Sequence, residues 1–118
     1  MQWTPLTSES QLEEIDKASH SEFIIVFKHS TRCNISETAL ERLNRKADTI
    51  KASADKTYYL DILTYRNLSD ALAKKYNVVH ESPQLMLIHK GQCIFHASHL
   101  NIDPEAVANL IEDLKQSN

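Results

Sequence analysis

Five apolar residues in a row, Phe23-Ile24-Ile25-Val26-Phe27, constrain this chain more than any other feature. A run without alternation suits a strand covered on both faces, inside a sheet that carries helices on either side. The flanking sequence supplies those helices. Ser8-Glu9-Ser10-Gln11 fits the S-x-x-Q capping box and starts a short helix with Leu12, Ile15 and Ala18 that ends near His20. Beyond the polar stretch Lys28-His29-Ser30-Thr31-Arg32, a long helix is expected with Ile35, Ala39, Leu43, Ala47 and Ile50 on one face. Residues 57–63 read as a second strand, and Asn67 or Ser69 caps a helix carrying Leu68, Leu72 and Tyr76. Right-handed crossovers make the first two strands parallel. Residues 85–88 and 93–96 flank His89-Lys90-Gly91-Gln92, where the lone glycine of 118 residues falls at a hairpin position that needs positive φ. Asp103-Pro104-Glu105 then opens a last helix that buries Val107, Leu110, Ile111 and Leu114.

The resulting order, α-β-α-β-α-β-β-α, predicts an α/β fold: a four-stranded mixed sheet with helices on both faces, which is the thioredoxin-like arrangement. At 118 residues the chain is expected to be one domain, residues 1–118. A single glycine leaves no phosphate-cradling loop of the P-loop or dinucleotide type. The formal charge of -3 argues against a nucleic-acid partner. No apolar run reaches the ~18 residues of a membrane span, and the start Met1-Gln2-Trp3-Thr4-Pro5 lacks a signal-peptide pattern, so a cytoplasmic monomer is expected. In that reducing compartment Cys33 and Cys93 are read as free thiols.

Cys33 falls where the central strand hands over to the long helix, so the first unpaired helical N–H groups and the positive end of the macrodipole favour a thiolate there. No Asp or Glu occurs between Glu22 and Glu37, whereas Lys28, His29 and Arg32 lie within five positions of the sulfur. These three are expected to stabilise the thiolate, with Ser36 donating to it from one helical turn on. Cys33-Asn34-Ile35-Ser36 is a C-x-x-S motif. Serine cannot resolve a mixed disulfide, so a second thiol must come from solution or from elsewhere in the chain. Ser82-Pro83 stands immediately before the third strand, where thioredoxin-like folds place a cis proline beside the cysteine. Cys93, His96 and His99 spell C-x2-H-x2-H, yet no metal site is expected, because strand alternation sends Cys93 and His96 to opposite faces.

Phe27-Lys28-His29-Ser30-Thr31-x-Cys33-x-Ile35-Ser36, Arg66-x-Leu68-Ser69, His80-Glu81-Ser82-Pro83-Gln84 and Ala97-Ser98-His99 together resemble the YtxJ family of monothiol bacilliredoxins. The resemblance runs from Phe23 to about Ile102. It implies Cys33 as the attacking thiol, Ser82-Pro83 as the cis-proline element, and Ser30, Thr31, Ser82, Pro83 and Gln84 lining the substrate groove. It also implies S-bacillithiolated client proteins as partners and bacillithiol as a co-substrate thiol, with no bound cofactor. The family usually has Thr-Cys-Pro-Ile-Ser where this chain has Arg32-Cys33-Asn34-Ile35-Ser36. Two other readings fit the same residues: a thioredoxin-like module that binds peptides without redox turnover, and a thiol peroxidase with Cys93 as the resolving thiol.

Overall fold

The computed structural model describes residues 3–117; Met1, Gln2 and Asn118, which the expected domain and start include, lie outside the described residues. The apolar run becomes β2 (Ile24–His29), buried along its whole length. It pairs in parallel with β3 (Lys56–Asp61), Val26 beside Tyr58, and antiparallel with β4 (Gln84–His89), Ile25 beside Leu87. β4 turns back into β5 (Gln92–Ser98) through Lys90 and Gly91, whose φ values of 54° and 72° are the two left-handed residues of a tight hairpin.

Helices cover both faces, as expected. On one side α1 (Glu9–Ser19) and α4 (Arg66–Tyr76) bring Leu12, Ile15, Leu68 and Leu72 onto Ile24, Val26, Leu60 and Met86. On the other, α2 (Asn34–Arg45), α3 (Ala47–Ser53) and α5 (Pro104–Gln116) lay Leu43, Ile50, Val107 and Ile111 over Ile25, Phe27, Leu85 and Leu87. Each of these buried apolar side chains contributes about 2 kcal/mol of hydrophobic stabilisation. Two sequence signals at helix starts hold: Gln11 Oε1 accepts from the Ser8 N–H at 3.1 Å, and Asp103 Oδ1 accepts from the Glu105 N–H at 3.0 Å. The third does not: Tyr65 is the N-cap of α4, and Asn67 and Ser69 lie inside the helix, with Ser69 Oγ turned to His80 instead of to a helical N–H.

The structure corrects three further expectations. The sheet has five strands, not four, in the order β1-β3-β2-β4-β5. The extra strand, β1 (Thr4–Pro5), sets Thr4 beside Tyr58 and Pro5 beside Tyr59. Two residues are too few to show a period of two, and a proline without a ladder N–H is tolerated at an edge.

The long helix is two helices, broken at Lys46, whose φ of -108° and ψ of 26° leave the helical region. Its first turn faces differently from the spacing-of-four reading. At 3.6 residues per turn Ile35 lies about 80° around the axis from Leu43 and Ser36 only about 20°. Ile35 is therefore exposed, and Ser36 is buried with Ala39 and Leu43.

Finally, the β4–β5 register slips between Leu87 and Ile88, pairing Leu87 with Phe95 but Ile88 with Cys93. This bulge at Ile94 resets the alternation, so Cys93 and His96 share a face instead of opposing each other.

Candidate functional site

The C-terminal ends of β2 and β3, the start of β4 and the end of β5 all lie at one end of the sheet, and the candidate residues gather there. Ser30 is the first residue after β2. Its carbonyl accepts from the Cys33 N–H at 3.2 Å, closing a tight turn with Thr31 and Arg32 at its exposed tip. Cys33 is the N-cap of α2, extended at φ -114° and ψ 119°, and its carbonyl takes the first helical bond from the Glu37 N–H at 3.0 Å. The half-buried Cys33 thus heads a helix whose first N–H groups are free, and its side chain makes no capping bond to them. Asn34 is the first helical residue. Proline at that place would present no N–H, so this chain has one more backbone donor at the helix start than the family's usual Thr-Cys-Pro-Ile-Ser would have.

Ser36 behaves differently from expectation. Its hydroxyl lies 2.6 Å from His29 Nδ1 and accepts from the Ser30 N–H at 3.0 Å, so its hydrogen bonds run to β2 and the turn after it, not to the sulfur. His29 Nε2 in turn lies 3.1 Å from Glu37 Oε1. Glu37 had no role in the sequence reading. Its only signal was being the first acid after Glu22, one residue beyond Ser36.

Lys28 does not join this group. As the neighbour of His29 along β2 it points to the opposite face, is fully buried there, and donates from Nζ to His80 Nδ1 at 3.3 Å. Ser69 Oγ lies 3.2 Å from the same nitrogen. Burial pushes the Lys28 ammonium down to about 8, opposed by Asp70 and Cys93 and reinforced by Arg66. His80 is likewise held below the usual histidine value, first by burial and then by Lys28 and Arg66. Lys28 therefore acts on the α4 side of the sheet, whereas Cys33 heads the helix that covers the other side.

The Ser82–Pro83 peptide is cis, as expected. The antiparallel register sets Gln84 beside Lys28, so Ser82 and Pro83 stand just past the end of β2, at the level of the Ser30–Cys33 turn. Gln84 is fully buried and donates from Nε2 to the Val79 carbonyl at 3.1 Å; its Oε1 and the Ser82 hydroxyl have no partner among the described residues. The Ala97-Ser98-His99 segment closes over this loop. The His99 N–H donates to the Pro83 carbonyl at 3.0 Å, Ser98 Oγ donates to the Glu81 carboxylate, and His99 Nδ1 lies 3.6 Å from Glu81. His99 reaches this position with a φ of 55°. Sequence reasoning had quoted these residues without giving them a task.

Cys93 lies apart, half-buried against the α1 and α4 core, with its thiol donating to the Phe95 carbonyl at 3.3 Å. Burial pushes this thiol up, away from the thiolate form. Among the described residues no three His, Cys, Asp or Glu side chains converge as a metal site would require, and no helix is long and apolar enough to cross a membrane. Around the Cys33 end, Ile35, Leu63, Val79 and Leu100 are exposed apolar side chains. Each adjoins the sheet end that the cysteine occupies.

Comparison with known proteins agrees with this fold. The sequence pattern of the family described as monothiol bacilliredoxin BrxC matches residues 4–107. A solved structure described as an oxidoreductase with a thioredoxin fold is 32% identical, covers 92% of each chain and superposes with a TM-score of 0.75. Thioredoxin from Trypanosoma brucei brucei, at 14% identity over 98% of this chain and 92% of that one, shares the fold with a TM-score of 0.74. Thioredoxin from Malassezia sympodialis does so at 13% identity over 95% and 90%, with a TM-score of 0.72. By its sequence and its thioredoxin fold, the chain belongs to the monothiol bacilliredoxin BrxC family of thiol oxidoreductases.

Proposed function

We propose that this protein removes bacillithiol from S-bacillithiolated client proteins by a monothiol route with Cys33 as the nucleophile. One observation carries the reading: Cys33 caps a helix start, and the place of a resolving thiol is filled by a buried serine bonded to His29 and Ser30. The Cys33 thiolate attacks the bacillithiol sulfur of the client's mixed disulfide. A new S–S bond forms to Cys33, the client S–S bond breaks, and the client leaves as a thiolate. A second low-molecular-weight thiolate then attacks the bacillithiol sulfur. It forms a small-molecule disulfide, supplies the two electrons, and releases the Cys33 thiolate.

Bacillithiol is thus a co-substrate, and no bound cofactor takes part. Arg32, at the exposed tip of the turn, meets the carboxylates of the small thiol, while Ser30, Thr31 and the Ser82–Pro83 backbone line the groove and Gln84 supports it from beneath. The exposed apolar rim of Ile35, Leu63, Val79 and Leu100 suits a protein client. The protein works as a monomer in the reducing cytoplasm. The test is removal of bacillithiol from a model client: Cys33→Ser abolishes it, and Cys93→Ser leaves it nearly intact. Mass spectrometry of the stalled wild-type protein finds one bacillithiol on Cys33, whereas a Cys33–Cys93 disulfide there would overturn the monothiol route.

A further inference from the structure

Lys28 has no task in the monothiol route, and its burial is unfavourable. The side chain is fully buried, so the ammonium has left water, and its one hydrogen-bond partner among the described residues is His80 Nδ1 at 3.3 Å. The partner gives the clue. His80 stands two residues before the cis Ser82–Pro83 peptide, in the loop that joins α4 to β4.

That loop has little packing of its own. Between Val78 and Pro83, both buried, Val79 is 81% exposed and residues 80–82 are only half-buried. Polar contacts hold it instead. From one side the His99 N–H donates to the Pro83 carbonyl and Ser98 Oγ to the Glu81 carboxylate. From beneath, Gln84 Nε2 donates to the Val79 carbonyl, and Ser69 Oγ stands 3.2 Å from the same His80 nitrogen that Lys28 meets. The polarity of the Lys28 link is defined. Burial, Lys28 and Arg66 hold His80 below the usual histidine range, so Nδ1 keeps a lone pair and accepts, and an ammonium that titrates at about 8 still has protons to donate at neutral pH.

The link also joins two particular pieces of the molecule. Lys28 belongs to β2, and that strand runs through His29 and Ser30 into the turn that presents Cys33. Ser69, Gln84 and Ser98 tie the loop to α4, β4 and β5. Among the described residues, Lys28 makes the one side-chain hydrogen bond between the loop and the strand that leads to the nucleophile.

Building on the monothiol reading, we infer that Lys28, acting through His80, is a positioning residue that holds the Ser82–Pro83 wall of the client groove in place relative to the Cys33 turn. The chain gives up stability at Lys28 for a groove whose two walls move as one body. Without the link the loop swings, the client backbone meets its wall only part of the time, and affinity for the client falls. Cys33, which heads the helix on the other side of the sheet, keeps its own reactivity.

The experiment compares Lys28→Met, His80→Leu and His80→Asn with the parent. Its first readout needs no client: the His99 amide hydrogen exchanges when its bond to the Pro83 carbonyl opens, as it does when the loop swings. Loss of a hydrogen bond from a charged donor shifts such an opening equilibrium about tenfold, so the His99 amide should exchange about tenfold faster in Lys28→Met. The amides of β2 should exchange more slowly in that variant, because a buried charge has gone. His80→Leu should also speed the His99 amide, and His80→Asn, whose Oδ1 replaces Nδ1 as acceptor, should restore the parent rate. The second readout is bacillithiol removal from a model client, where Lys28→Met should raise KM about tenfold and leave kcat within about twofold. A His99 amide that keeps the parent rate in Lys28→Met would overturn the inference. Faster exchange in β2 as well as at His99 would do the same, since it would mark Lys28 as a residue of stability alone, and so would a loss confined to kcat. A parent protein that removes no bacillithiol would sink the proposed function, while the His99 amide would still decide this inference.

Discussion

Lys28 and His29 are neighbours on one strand, equally buried, and the two faces of the sheet treat them in opposite ways. On the α2 face, His29 has a partner for each ring nitrogen, Ser36 and Glu37, and the chain they form opens to solvent. On the α4 face, the Lys28 ammonium has His80 as its one hydrogen-bond partner among the described residues, with Oε1 of Gln84, unpartnered among them, on its cross-strand neighbour. A polar group taken out of water stabilises a fold only when its hydrogen bonds are replaced, and a buried charge demands more replacement than a neutral ring. The α2 face is therefore a satisfied network, and the α4 face holds a desolvated charge.

That contrast is open to test, and the largest effect should come from breaking the satisfied side. His29→Leu removes two hydrogen bonds, one of them to a carboxylate, and should destabilise the protein by about 3 kcal/mol in urea unfolding. Lys28→Met should do the reverse. It removes a buried charge, and the carboxylate that favours that charge, Asp70, is exposed and keeps Arg66 as a partner, so stability should rise by about 2 kcal/mol at neutral pH. A loss of stability in Lys28→Met would show that the ammonium is better paired than its contacts imply.

The pH dependence sharpens the same point. Lys28 is lowered from 10.5 to about 8 in the folded protein. Between those values the unfolded chain still holds the proton and the folded chain has released it, so wild-type stability climbs with pH relative to the variant. The advantage of Lys28→Met should be complete below pH 8 and gone above 10.5, as read from paired urea midpoints. Because Lys28 faces away from α2, the same variant should leave the Cys33 alkylation rate within about twofold of the parent. The smallest effect belongs to Gln84→Leu, which gives up the bond to Val79 and the orphaned oxygen together, for a change of about 1 kcal/mol or less.

Much of what depends on neighbours along the chain was legible in the sequence, though not the cap of α4, which falls on Tyr65. The capping glutamine at Gln11, the Asp103-Pro104 helix start, the hairpin at Gly91 and the position of Cys33 at the head of α2 are all local signals. What it could not carry depends on faces and on distant partners. An apolar run without alternation hides which residues point to which side, and so Lys28 and His29 read as a single basic flank. The bond from Lys28 to His80 spans 52 positions, and only the packing of α4 creates it. The His29 contact with Glu37 is closer in sequence, yet it needs the strand, the turn and the first helical turn all in place. The break at Lys46 left no proline or glycine to mark it.

The bulge in β5 has a bearing on how copies of the protein behave toward one another. β5 is the outermost strand on its side of the sheet, and an outermost strand offers unpaired N–H and C=O groups to any extended chain that meets it. The extra residue at Ile94 interrupts that row partway along, so an incoming strand that keeps register with one half of β5 loses it in the other. At the opposite border, β1 is two residues long and one of them is a proline. Both borders of the sheet thus discourage stacking into fibrils, a useful property in a protein whose central strand is unbroken hydrocarbon from Phe23 to Phe27.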